Sequence, residues 1–122
     1  MVELALVLLV LLTLVMGALE SGRAVNAWAI VTQASREGAR VGAATCTLDP
    51  GCGAAVDAGV TSSLAGLPIA DVTWTVDGGP YRAGDPFEVR VEYAFVPVTP
   101  FVGALIPGGA LTLVGETTMR LE

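Results

Sequence analysis

Between Glu3 and Glu20 the chain carries no charge, and the apolar run Leu4 to Leu19 is broken only by Thr13 and Gly17. As a helix this run is about 24 Å long, slightly short of the ~30 Å hydrocarbon core of a bilayer. The pattern predicts a retained membrane-spanning segment and not a cleaved secretory signal. A positively charged leading region and an Ala-x-Ala-like site are both missing before the helical pattern continues. Past Glu20 the spacing stays helical but becomes one-sided, with Ala24, Ala27, Trp28, Val31, Ala34, Gly38 and Val41 or Gly42 recurring every three or four residues. One helix to about Ala44 would be roughly 65 Å long, more than a small domain can cover. Its first half therefore needs shelter from lipid or from other chains. Glu20 with Arg23, and Glu37 with Arg40, stand three apart and are expected to pair on the wet side, each contributing a few tenths of a kcal/mol.

Pro50, Gly51 and Gly53 end this helix. Ala54 to Leu67 predicts a second, weaker helix with Val56, Val60, Leu64 and Leu67 on one face, stopped by Pro68. From Asp71 the period changes to two. Val72, Trp74 and Val76 alternate with Thr73 and Thr75, and Asp77-Gly78-Gly79-Pro80 forms a turn. Phe87, Val89, Val91, Tyr93 and Phe95 then face one way, with Glu88, Arg90 and Glu92 facing the other. A last strand puts Leu111, Leu113, Met119 and Leu121 inward and Glu116, Thr118 and Arg120 outward, with a bulge expected at Gly115. The fold class that follows is α+β: a long N-terminal hydrophobic helix packed against a small antiparallel sheet of about three strands. Residues 1–23 are expected to anchor in the membrane or in a filament core. Residues 24–122 are expected to form a small extracytoplasmic domain that includes the amphipathic half of the helix.

Composition narrows the chemistry. The 122 residues are 53% hydrophobic, and six Arg against twelve Asp and Glu give a net charge of −6, without His. A surface of this sign repels phosphate backbones, so no nucleic-acid binding is expected. Without His the commonest general base and metal ligand is missing, and the carboxylates are scattered, so neither an enzyme nor a metal or cofactor site is expected. Cys46 and Cys52, in Cys-Thr-Leu-Asp-Pro-Gly-Cys, are too far apart for a two-residue redox or zinc spacing. A local disulfide, and with it an oxidising compartment, is the better reading.

Three features point to assembly. Glu3 opens the apolar run, where an unpaired carboxylate in a dry environment costs several kcal/mol. Two placements are equally open: pairing with the α-amino group of Met1 on a neighbouring subunit, or rest in the headgroup region at a favourable helix N-terminus. Small residues at Ala34, Gly38 and Gly42, and at Gly17 and Ser21, allow close backbone approach, with Gly38 and Gly42 expected to serve packing within the chain. Gly17 and Gly22 bracket the stretch where the helix is expected to bend or melt most readily. In the segment Pro97 to Pro107 three prolines exclude an inner strand. So apolar a connection either folds back on its own domain or presents hydrophobic surface, and of the two a subunit contact through Pro97, Pro100, Phe101, Leu105 and Ile106 is the expectation.

The opening Val2-Glu3-Leu4-Ala5-Leu6-Val7, then Glu20-Ser21-Gly22-Arg23, Ala34 to Arg40 and the closing Thr118 to Glu122 resemble the TadE-like pseudopilins of tight-adherence (Tad) pilus systems, relatives of type IV pilins. The resemblance is strongest over positions 2 to 43. It implies an inner-membrane precursor cut by a prepilin peptidase and handed to pilus assembly machinery, then a homo-oligomeric helical filament outside the cell. Glu3 would correspond to the acidic residue that aligns subunits. Leu9 stands where the family often has proline, which favours a straighter helix. The expected function is thus a structural pilin. The alternatives are a minor or priming pseudopilin, or a membrane-anchored binding module using Trp28, Tyr81 and Phe101.

Overall fold

The computed structural model describes residues 2–77 and 79–122. Helix α1 (Val2–Thr45) runs without interruption for 44 residues, or about 66 Å. Gly17 and Gly22 lie inside it, and the helix continues through both. Helix α2 (Gly53–Ser63) folds back on α1, and a single 3-10 turn at Ile69–Asp71 leads into the sheet. Strands β1 (Val72–Val76), β2 (Pro86–Phe95) and β3 (Leu111–Arg120) form an antiparallel sheet in the order β1-β2-β3. A short helix α3 (Pro100–Leu105) lies in the connection from β2 to β3. This is the α+β architecture that the change of period predicts.

The second half of α1 fills one groove between α2 and the sheet. Ala27, Val31, Ala34, Ala39 and Ala43 are buried against Val56 and Val60 of α2 and Phe87, Val89 and Val91 of β2. Trp28 is half exposed and off this face, whereas Ser35 is fully buried. The Ser35 hydroxyl bonds to the Thr32 carbonyl at 2.8 Å and to the Thr117 hydroxyl at 2.9 Å, so burying it leaves no polar group unpaired. Helix α2 ends at Ser63, earlier than its apolar spacing predicts. Leu64 already leaves helical geometry and Gly66 turns the chain at φ +93°.

Close approach explains the glycines. A Cβ at Gly42 would strike the ring of Phe87, and one at Gly38 would lie 2.6 Å from Val60 Cγ2. Both face inward, as packing within the chain requires. Gly115 is no bulge, because β2 and β3 pair in unbroken register from Pro86↔Arg120 to Phe95↔Leu111. Instead its missing side chain lets the α1 backbone lie on the strand: a Cβ there would sit 2.7 Å from the Val31 carbonyl oxygen. Alternation through position 115 was intact all along, and the glycine answers to the helix crossing above it.

Cys46 and Cys52 are joined in a disulfide with their Cα atoms 5.1 Å apart, which closes the turn between α1 and α2. The Asp49 carboxylate accepts the Gly51 amide at 2.8 Å inside this ring. At the same end the chain terminus is tied down, with the Glu122 amide donating to the Ala43 carbonyl and the Thr47 hydroxyl to the Glu122 carbonyl.

Candidate functional site

Every described residue from Val2 to Leu19 lies outside the core of the head. The large apolar side chains of this rod are 43% (Met16) to 77% (Val2) exposed, and its most apolar window buries nothing against the rest of the chain. A segment this greasy is unstable in water. It is also the one helix, among the described residues, long and apolar enough to cross a membrane. Gly17 has open space around it on the rod surface. Glu3 sits in the first turn of α1 and is exposed. Met1, the other half of the expected pairing, lies outside the described residues.

Where the rod meets the head, the structure brings together residues that the sequence leaves apart. Glu20 is not on the wet side: it is only 6% exposed. Its Oε1 accepts from Arg23 at 2.9 Å and from the Val98 backbone amide at 2.7 Å. The Arg23 guanidinium in turn lies 5.4 Å over the Phe95 ring, a cation–π contact. The carboxylate is buried without being orphaned, because a cation and a backbone donor both reach it. One signal could have located it, since Glu20 stands four residues before Ala24 on the same stripe as Ala27 and Val31. Its partner Val98 is distant in sequence and leaves no local trace.

That bond holds the β2–β3 connection against the rod. Pro97 is buried within the chain, so it belongs to the head's own packing. Beyond it Val98 (74%), Phe101 (63%) and Leu105 (70%) are open, Pro100 is exposed and Ile106 is half-buried. Val98 to Val102, with Leu12, Thr13 and Met16 of the rod, line a mainly apolar groove of about 400 Å³, in which Thr13 and Thr99 are the polar members; Leu105 and Ile106 lie outside it. The start of this segment thus lies along one side of the rod at the base of the head, a partial collar.

The remaining charges are on solvated faces. Arg40 grips Glu37 through two hydrogen bonds and holds its carboxyl below the usual range, the guanidinium being raised in return. Arg90 bonds Glu92 and reaches across the sheet to Glu116 at 3.3 Å. Among the candidate aromatics, Tyr81 packs edge-on against Phe87 with centroids 5.4 Å apart; Trp74, expected inward, donates to Asp57 at 2.8 Å. Trp28 and Phe101 lie on different parts of the molecule and make no shared platform.

Residues 1–40 match the family model described as TadE-like protein, consistent with a TadE-like, pilin-related protein associated with a membrane through its apolar helix. No curated protein and no solved structure matches the chain.

Proposed function

We propose that this chain is a structural subunit of a Tad-type pilus, held in the inner membrane by its rod and then polymerised through that rod into an extracellular filament. The observation that carries this reading is the division of labour within α1. Its second half is consumed by the head's core, while its first half, among the described residues, stays exposed apart from the groove at Leu12 to Met16 and cannot remain uncovered in water. Rods from many copies would bundle in the filament centre, Gly17 allowing close approach, with the heads as a sheath. Such head-to-tail contact does not close, which is the geometry that yields helical fibres. In the fibre, Pro100, Phe101, Leu105 and Ile106 would meet neighbouring subunits, and Glu3 would pair with a neighbour's amino terminus. A prepilin peptidase and the pilus assembly machinery are the partners this reading requires.

The test is electron microscopy of sheared surface appendages with peptide identification. The chain is expected as their main component, and a trace copy number would point instead to a priming subunit. Glu3→Leu is expected to insert into the membrane normally and yet give few fibres. Wild-type fibre yield from that variant would remove the pairing role.

A further inference from the structure

We infer that the collar is a second membrane-embedded element, and that the groove between it and the rod takes lipid acyl chains of the leaflet on the head's side. This rests on the membrane-anchoring part of the proposed function and adds a site to it. The depth is set by contact. Leu12 and Met16 lie eight and four residues below Glu20, about 12 and 6 Å along the helix axis. Side chains that share a groove with them must enter the bilayer to a similar level once the rod is inserted.

Length supplies the second argument. The uncharged run of the rod falls about 6 Å short of a typical hydrocarbon core, a mismatch that costs free energy unless other apolar surface fills the gap. The segment stands beside the head-side end of the rod and adds open apolar side chains there, at Val96, Val98, Phe101 and Leu105.

The chemistry of the segment agrees. No charged residue stands between Glu92 and Glu116, a longer neutral stretch than that of the rod itself. Backbone donors in a lipid boundary need partners. Pro97, Pro100 and Pro107 have none to satisfy, the Val98 amide is taken by Glu20, and the Gly103 and Ile106 amides are taken by the Thr99 and Gly103 carbonyls, whereas the first turn of α3 has no side-chain cap, which suits the headgroup boundary better than the hydrocarbon centre. Glu20 therefore acts as a latch that keeps the collar at the rod.

The experiment uses the full chain at one copy per lipid nanodisc, with an environment-sensitive NBD label on a single introduced cysteine. The native pair is already bonded, so labelling is selective. Labels at Phe101→Cys and Leu12→Cys are expected to emit blue-shifted and to lose most of their fluorescence to lipids carrying a nitroxide on the acyl chain. A label at Thr118→Cys, on the outer face of the sheet, is expected to do neither. If Leu12→Cys is quenched and Phe101→Cys stays water-like, the collar proposal is overturned while anchoring stands. If neither is quenched, anchoring fails and the collar with it. A Phe101→Cys label that turns blue only in crowded vesicles, without nitroxide quenching, would mean that a second copy covers the collar, which also overturns lipid as its occupant.

Discussion

Glu20 and Gly115 show how much one residue can decide. Glu20→Ala would leave the Val98 amide without its acceptor, while the half-exposed Arg23 turns to water, a loss of about 1–2 kcal/mol. Glu20→Gln keeps an acceptor and should lose less. Thermal unfolding of the full chain in detergent, followed by near-ultraviolet circular dichroism, measures both, and equal melting of Glu20→Ala and wild type would contradict the latch. Gly115→Ala drives a methyl into helical backbone, which cannot rotate away as a side chain can. Overpacking of this kind costs about 1–3 kcal/mol. Gly17→Ala meets nothing and should hold or raise helix stability by up to ~1 kcal/mol. The same melts compare the two variants, and an unshifted Gly115→Ala would refute the crossing contact. Neither residue's role was fully legible. Glu20 shares the helical stripe of Ala24 and Ala27, but only the fold reveals Val98. Gly115 in a strand suggests either a bulge or a close neighbour; the unbroken odd–even alternation from Leu111 to Leu121 speaks against the bulge, but nothing local names the helix that crosses it.

At the scale of elements, the turn between α1 and α2 is the clearest case of local determination. The Cys46–Cys52 ring is small, and the chain-entropy estimate for its closure is roughly 2 kcal/mol. Cys46→Ser with Cys52→Ser should destabilise by about that amount. Amide exchange should speed up in α2 and the end of α1, with the rod unchanged; undiminished protection in α2 would show that packing of Val56 and Val60 alone holds it. The strands were readable because one face is wet: Glu88, Arg90 and Glu92 alternate strictly with the buried Phe87, Val89 and Val91. The end of α2 was not, since Leu64 and Leu67 keep the apolar spacing after the backbone has turned away.

The whole molecule is a rod and a head that share one helix. Because the rod contributes nothing to the head's core, charging it should leave the head intact. Leu8→Glu with Leu11→Glu adds about 2.5–3.5 kcal/mol per charge near the centre of the run. The double variant is expected to leave the membrane fraction while its near-ultraviolet spectrum stays native. Loss of that spectrum would show that the rod supports the head after all.

The sequence by itself determined whatever depends on neighbours within a few residues: the length and greasiness of the rod, the change from helical to alternating period, the loop that breaks α1, and the small-residue stripe of Gly38 and Gly42. These are carried by spacing, which a linear chain displays openly. Only the tertiary structure decided that Glu20 is buried, that Gly115 carries a helix and that Val98 to Val102 lies along one side of the rod. Each of those depends on which distant segment arrives at a given face. Burial is a property of the surface brought against a residue, and no period along the chain records it.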